Sequence, residues 1–329
     1  DNKSGEASKG LLVIGVDATF EEKWNPFIAE SAYDLQVLEQ VFAAVSKIND
    51  KNELVDDAGS ITYEEQEDGS VIYTVKLKEG MTVSDGQHVT IDEYIYGLYV
   101  RADSSFTGPS ALVTSDISGV KEYYYDDPNY TEVVSGFENE AKEKYSTENI
   151  QFEQFLEYAK DTNLNGMWNG NPADDGKGNP WSQYIEGEGD NYKEALAGID
   201  ATNADTVLEL LAQVEFDKYK DSYDTETWYL DKQKSEYASG NLEDGVDVPE
   251  ISGIVRVDDL TCTVKYDKIN IYADRDLAHR SGSGFIAPKH HYGEYEKGDV
   301  SKILANMNPI GSGPYVFEGF ADNIATCTA

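Results

Sequence analysis

The sequence is poor in the residues that build metal sites and nucleophilic active sites. Only 4 histidines and 2 cysteines occur among 329 residues, and they do not follow the spacing of His-Glu-x-x-His or another zinc motif. A Gly-x-Ser-x-Gly elbow, a P-loop and a Gly-x-Gly-x-x-Gly loop are all missing. These absences favour a protein that is not an enzyme and has no metal or cofactor, although composition alone leaves a Ser-His-Asp triad open.

Basic residues are scarce as well. The chain has 26 Lys and Arg against 63 Asp and Glu, for a net charge of −37. Such a field repels nucleic acids and anionic membrane surfaces, so no nucleic-acid partner is expected. The charge is typical of a soluble surface adapted to an extracellular environment. The more specific alternative is that the negative charge forms a binding site for a cationic ligand, and charge alone does not establish such a site.

Long apolar runs are missing. The run near the start, residues 11–16, is too short for a membrane span or for the apolar region of a signal peptide. Residues 1–10 are polar and small, which predicts a flexible tether. The protein is therefore expected to be cytosolic or to have lost a signal. Cys262 and Cys327 can pair, but nothing in the sequence demands it.

The residues that are present predict an α/β fold. The run at 11–16 is typical of a strand buried on both faces, and Ser31 begins a helix whose apolar positions recur as far as Val45. In an open α/β lobe, ligands bind beyond the carboxyl ends of strands, which makes the loop from Phe27 to Ala32 a candidate site. The alternative is that Phe27 only covers the core and Ser31 only caps the helix, and position alone favours neither.

Two hairpins are also predicted. Residues 61–77 alternate in polarity around a two-residue turn at Asp68 and Gly69. The segment IVRVDDLTCTVKYD, residues 254–267, predicts the second hairpin with its turn at Asp258 and Asp259.

The stretch KLKEGMTVSDGQHVTIDEYIYGL predicts a strand, a turn and a capped helix. Ser84, Asp85 and Gly86 form the turn signal. Thr90 and Glu93 have the spacing of a capping box. In this motif the Thr hydroxyl accepts a hydrogen bond from a backbone amide in the first turn of the helix, and the Glu carboxylate accepts one from the backbone amide of the Thr. The stretch carries no catalytic group and indicates a scaffold.

The middle of the chain has a different character. Residues 121–250 are rich in Tyr, Asn and Gly and carry more than half of the net charge. Helices are expected near 148–160 and 204–219, separated by a loop at 170–181. This part has the character of an insertion.

The order of the remaining segments resembles the family 5 extracellular solute-binding proteins of ABC transporters, the oligopeptide- and dipeptide-binding group. The resemblance covers residues 11–127 and 251–320. It rests on a buried first strand, a loop with Asn25 and Pro26, and six further segments: VFAAV, YTVKLKEG, MTVSDGQHVTIDEYIYGL, VDDLTCTVKY, APKHHYG and NPIGSGPYVF.

The resemblance implies a periplasmic-binding-protein-like fold of type II, peptide-binding group. Lobe I would comprise residues 11–57 and 268–329, and an extra subdomain would comprise 58–267 with the acidic insertion at about 128–250. Family members continue through a second lobe, so this chain is expected to be truncated, with the first lobe and the extra subdomain only.

The resemblance also implies a function and its residues. The function is that of the substrate-binding component of an ABC importer, capturing a short peptide or another small solute outside the membrane and passing it to the permease. By local alignment Glu30, Ser31 and Ala32 would touch the ligand, with Phe27 by position and Phe106 as an aromatic contact. The implied protein is a monomer, either periplasmic or a cell-surface lipoprotein of the Gram-positive type, held at the membrane only through a lipid anchor.

Two other functions stay open on the sequence. One is a secreted carbohydrate-active hydrolase that uses acidic residues and exposed Trp168, Trp181 and Trp228. The other is a non-catalytic carbohydrate-binding or adhesion protein whose interaction face is the acidic insertion.

Overall fold

The computed structural model of the chain describes residues 19–168, 170–171, 195, 202–241, 248–279 and 283–329. The predicted tether, the predicted strand at 11–16 and most of the predicted loop at 170–181 lie outside these residues. Two units form the chain, one of Asp1–Tyr124 with Val248–Ala329 and the other of Tyr125–Asp247.

Helices and strands both occur in the described residues, as an α/β composition predicts. The strands are β1 Ser46–Ile48, β2 Leu54–Asp56, β3 Gly59–Glu65, β4 Val71–Leu77, β5 Ile254–Arg256, β6 Thr261–Tyr266, β7 Val316–Ala321 and β8 Ile324–Thr328. The α-helices are α1 Ala32–Val41, α2 Ile91–Ala102, α3 Val120–Tyr125, α4 Tyr130–Glu140, α5 Phe152–Gly166, α6 Ala204–Tyr219, α7 Thr225–Asn241, α8 Ala273–Ala278, α9 Lys289–Tyr292 and α10 Ser301–Ala305.

The strands of the first unit form antiparallel sheets. One sheet has four strands in the order β3-β4-β6-β5, and two smaller sheets pair β1 with β2 and β7 with β8. Both predicted hairpins are therefore confirmed. Each named strand pair runs antiparallel, and the predicted strand at 11–16, on which the argument from strand ends rests, lies outside the described residues.

The first hairpin has a longer turn than predicted. Glu65 pairs with Val71, so the loop comprises residues 66–70 instead of Asp68 and Gly69 alone. The Asp68 carboxylate accepts hydrogen bonds from the amide (2.9 Å) and the hydroxyl (2.6 Å) of Ser70. These two local hydrogen bonds extend the turn to Ser70. Gly69 lies between the bonded residues, and its φ of +83° is a left-handed conformation that glycine adopts without strain.

A core of alternating side chains holds the four-stranded sheet against α2. On β4, Val71, Tyr73, Val75 and Leu77 are buried, as period-two burial on one face requires. The helix contributes Tyr94, whose hydroxyl donates to the Leu277 carbonyl at 2.9 Å. This bond connects α2 to α8, which lies far away in the sequence.

The predicted capping box begins α2. The Thr90 hydroxyl accepts from the Asp92 amide at 3.3 Å, and the Glu93 carboxylate accepts from the Thr90 amide at 2.8 Å. Local sequence alone specified this helix start, because all the groups involved lie within one turn.

Helix α1 ends earlier than the apolar spacing predicts. The helix stops at Val41, and Phe42 is already extended with φ −107° and ψ 132°. The last carbonyls of the helix accept hydrogen bonds from the backbone of the GSGPY segment. The Gly313 amide donates to the Val41 carbonyl at 2.8 Å, and the Tyr315 amide donates to the Gln40 carbonyl at 3.0 Å. A Cβ on Gly313 would lie 2.6 Å from the Gln40 carbonyl oxygen, so this approach requires glycine. A distant segment therefore ends the helix.

The second unit is helical and has its own core. Its central side chains include Phe155 on α5 and Leu211 on α6, both 0% exposed. Helix α6 has the predicted bounds. Helix α5 begins at Phe152, later than the predicted start near residue 148. A turn precedes it, in which the Ile150 amide donates to the Ser146 carbonyl at 2.8 Å. Among the helices in the described ranges, none has the length and apolarity that crossing a membrane requires.

The two cysteines are not bonded to each other. Cys262 lies on the central strand β6 and is 0% exposed, and Cys327 lies half-buried on β8. Burial raises the pKa of the Cys262 thiol to about 12. Burial, with a contribution from Glu318, also raises the pKa of Cys327.

We expect iodoacetamide to modify Cys327 slowly and Cys262 not at all in the folded protein at mildly alkaline pH. Burial and a raised pKa both lower the population of reactive thiolate at Cys262. Mass spectrometry of the modified peptides measures this, and both thiols should react in urea. A Cys327→Ser variant should show no modification when folded, so labelling of Cys262 in that variant would contradict the buried position.

We expect Thr90→Ala to lower the free energy of unfolding by about 1 kcal/mol, because the first turn of α2 loses its cap. Thr90→Ser keeps a hydroxyl at the cap and should cost less than about half as much. Urea unfolding followed by circular dichroism compares the two variants. Equal losses would show that the hydroxyl is not what stabilises this helix start.

Candidate functional site

The loop that precedes α1 is fixed by the fully buried side chain of Asn25. Its amide nitrogen donates to the carbonyls of Ile303 (2.8 Å) and Asn306 (2.9 Å), and its oxygen accepts from the Phe27 amide (2.8 Å). One side chain thus joins the loop to the end of α10. Buried backbone groups without such partners would cost free energy, so Asn25 stabilises a segment that has no regular structure of its own.

Asp34 fixes the same loop from the other side. This carboxylate in the first turn of α1 is 0% exposed and accepts from the amides of Glu21 (3.1 Å) and Lys23 (2.9 Å). Trp24, between these contacts and Asn25, packs its ring 5.4 Å from that of Phe320 on β7. Polar and aromatic contacts together hold the chain in one path before the helix begins.

A buried arginine supports the loop from α2. The Arg101 guanidinium is 4% exposed and donates to the carbonyls of Pro26 (2.8 Å) and Pro109 (3.2 Å). It lies over the rings of Phe27 (5.3 Å) and Phe106 (5.9 Å), an arrangement in which the ring faces attract the cation. Burial lowers the pKa of Arg101 to about 10, so the group remains charged at neutral pH.

Phe27 and Phe106 therefore do not lie at an open surface. They are 2% and 8% exposed and belong to the core of the first unit. Gly108 contacts both, since a Cβ there would lie 2.3 Å from the Phe27 carbonyl oxygen and 2.7 Å from the Phe106 ring. Of the two roles that the sequence left open for Phe27, the structure shows the covering of the core.

The other predicted site residues lie together at the start of α1. Glu30 and Ala32 are exposed and Ser31 is half-buried. The Ser31 hydroxyl caps the helix, accepting from the Tyr33 amide at 3.3 Å. The structure thus presents Glu30, Ser31 and Ala32 as a short surface segment directly after the loop that Asn25 and Asp34 fix.

The sequence motifs that carry the family resemblance meet in space. The Ser84 amide of the SDG turn donates to the Gly311 carbonyl of the GSGPY segment at 3.0 Å. The Asp85 carboxylate of the same turn lies 2.7 Å from the His290 imidazole of the APKHHYG segment. His291 in turn contacts the Asn308 carbonyl at 2.6 Å. These motifs are therefore structural contacts within the first unit.

The histidines have structural positions as well. His290 and His291 lie on the short helix α9. The hydrogen bond from His290 is the main reason that the pKa of the Asp85 carboxyl lies below its usual range. No group of three or more His, Cys, Asp or Glu that could hold a metal ion occurs in the part of the chain that the structure describes.

The hydrolase alternative depends on exposed tryptophans, and the structure places two of them away from an open surface. Trp168 was predicted to be exposed but is 3% exposed, in the helical core of the second unit. Trp228 is half-buried, donates to Asp161 at 2.7 Å and lies under the Lys232 ammonium. Trp181 lies outside the described residues. The two described rings are engaged within the protein, so they do not form an open sugar-binding platform.

Sequence reasoning missed the residues that shape the site. Neither Asn25 nor Arg101 was selected as functional, although the pair Asn25-Pro26 was part of the family resemblance. A cation within an otherwise apolar helix face is a signal that could have identified Arg101, because a buried charge requires partners. Its partners, two carbonyls and two rings from separate segments, could not be read from the sequence.

Comparisons with known proteins give similar solved structures only. Neither a family profile nor a curated protein matches the chain. The similar structures include OppA of Haemophilus influenzae in complex with RPPGFSPFR (12% identity, TM-score 0.41, 91% of this chain and 34% of that one). They also include the murein tripeptide binding protein MppA of Escherichia coli (14%, 0.39, 91% and 34%) and the oligopeptide-binding protein AppA of Bacillus subtilis with a nonapeptide (11%, 0.44, 94% and 33%).

The chain spans about a third of the length of these structures. Each of the three is named as a binding protein or is described with a bound peptide.

We expect Asn25→Ala to lower the free energy of unfolding by about 3 kcal/mol, because the Phe27 amide and two carbonyls lose their buried partner. Gln36→Ala, on the exposed face of α1, is the matched control and should change stability by less than about 0.5 kcal/mol. Urea unfolding measures both. A loss at Asn25 no larger than at Gln36 would show that the loop does not depend on this side chain.

Proposed function

We propose that the chain is part of the substrate-binding component of an ABC importer that captures a short peptide outside the membrane. The observation that carries this proposal is the surface segment of Glu30, Ser31 and Ala32, which directly follows the loop that Asn25 and Arg101 fix. The family resemblance assigns ligand contact to this same segment. A rigid segment loses little conformational entropy when a ligand binds, which favours a recognition role.

The chemistry of the segment suits a peptide main chain. The Glu30 carboxylate is exposed and can pair with the ammonium of a peptide or with a basic side chain. The amides at the start of α1 carry the positive end of the helix dipole and can donate to peptide carbonyls. The net charge of −37 attracts cationic ligands over long distances and raises their encounter rate.

The rest of the proposed function follows from the family resemblance. A second lobe closing on this segment would trap the peptide, with main-chain hydrogen bonds of the kind that an added strand makes. The ligand would then pass to a permease. The proposed protein works as a monomer outside the cytoplasm, either in a periplasm or at the cell surface through a lipid anchor, and it catalyses no reaction.

We expect the chain to bind short peptides weakly, with a dissociation constant on the order of 1 mM, because only one side of the ligand is contacted. In a titration with the tripeptide Lys-Ala-Ala followed by amide NMR, the shifts should concentrate at residues 30–32. Glu30→Gln should reduce the shifts, and Glu64→Gln on the exposed end of β3 should not.

Two outcomes would contradict this assignment. Shifts that concentrate elsewhere would place the ligand on another surface. Micromolar affinity of the chain for the peptide would show that no second lobe is needed.

A further inference from the structure

Four large side chains form an exposed apolar patch on the first unit. They are exposed to an unusual degree for their size: Tyr63 64%, Ile269 57%, Ile271 79% and Tyr272 62%. Three of them occupy a stretch of four consecutive residues. Contiguous apolar surface of this kind is uncommon on proteins that have no partner there, and it marks interaction sites.

The patch is held in place by hydrogen bonds and ring contacts. The Tyr73 hydroxyl of β4 donates to the Asn270 carbonyl at 3.3 Å, and the Tyr272 amide donates to the Asn270 side chain at 2.9 Å. The rings of Tyr63 and Tyr73 lie 5.9 Å apart. The segment between Ile269 and Tyr272 is therefore fixed to the sheet, so it does not need to be ordered when a partner binds.

An acidic cavity opens beside the patch. Its volume is about 160 Å³, and its lining includes the rings of Tyr63 and Tyr73 and the carboxylates of Asp56 and Asp274. Burial and then the negative charge of Asp274 raise the pKa of the Tyr73 hydroxyl. The cavity thus combines negative charge with aromatic walls, which together favour a cation.

The two carboxylates have no cationic partner among the residues that the structure places. Neither Asp56 nor Asp274 forms an ion pair there, and two nearby cations have other partners. The Lys47 ammonium pairs with Asp57 at 3.1 Å, and the Arg275 guanidinium donates to the Asn52 carbonyl at 3.0 Å.

We propose that this face docks a segment of a partner protein that presents one basic side chain between apolar ones. The apolar side chains of the segment cover Tyr63, Ile269, Ile271 and Tyr272. The basic side chain enters the cavity and lies between Asp56 and Asp274, against the tyrosine rings. An apolar patch beside a charged pocket is the arrangement that gives an interface both its affinity and its orientation.

The charge and the size of the site favour this occupant over a second copy of the chain, nucleic acid, an anionic membrane or a free peptide. A second copy of the chain would bring its own net charge of −37 against the first, and nucleic acid or an anionic membrane would be repelled likewise. A free peptide ligand needs a concave site of several hundred Å³, whereas this cavity holds about one side chain and the patch around it is open.

The test uses a fluorescent, acetylated and amidated peptide of alternating leucine and serine with one central lysine, with fluorescence anisotropy as readout. We expect saturable binding to the chain. Binding should be about tenfold weaker to the Asp56→Asn, Asp274→Asn double variant, since two part-exposed ion pairs are lost. It should be weaker by a similar factor for Ile271→Ser, which removes apolar contact, and for a probe with norleucine in place of lysine.

The control is a matched pair of exposed apolar residues on and after β5. Val255→Ser and Val257→Ser remove side chains that are 52% and 58% exposed, and binding should not change. Circular dichroism and urea midpoints show whether each variant is folded, and a double variant that does not fold is replaced by the single Asp56→Asn.

Three results would overturn the proposal. The first is equal binding of the probe to the parent chain and to the folded Asn and Ser variants. The second is equally tight binding of the tripeptide Leu-Lys-Leu, which would make the cavity a ligand pocket. The third is self-association in the analytical ultracentrifuge that Ile271→Ser abolishes, which would assign the face to a second copy of the chain.

Discussion

The requirement that buried backbone groups find hydrogen-bond partners governs the first unit. Several of its segments have no regular structure, and their carbonyls and amides are satisfied by single buried side chains. Asn25 joins the loop before α1 to the end of α10, Asp34 accepts from amides of residues 21 and 23, and Arg101 connects the carbonyls of Pro26 and Pro109. These three side chains fix the loop that leads into the surface segment at residues 30–32.

The same requirement explains why the family motifs meet. The last carbonyls of α1 accept from the backbone of the GSGPY segment, which can approach because Gly313 has no side chain. That segment then accepts from Ser84, and the SDG turn pairs with His290. The motifs that suggest a binding protein thus assemble the scaffold. They hold the candidate site in place, while the ligand would contact other residues.

Local signals in the sequence predicted elements well when all the interacting groups lie within one turn or one hairpin. The capping box at Thr90, both hairpins and the bounds of α6 belong to this class. The end of α1, the burial of Phe106 and Trp168, and the partners of Arg101 were not predictable, because each depends on a segment distant in the chain. The apolar patch at Ile271 was equally hidden, since only packing decides which apolar residues remain outside.

The sequence by itself determined the charge, the scarcity of catalytic groups, the local elements and the resemblance to peptide-binding proteins. Only the tertiary structure decided which candidate residues face solvent. Glu30 and Ala32 face solvent and Ser31 is half-buried, while the rings of Phe27 and Phe106 lie against a buried guanidinium. The physical reason is that a buried cation requires aromatic faces and carbonyls on several sides, and only folding brings these together from separate parts of the chain.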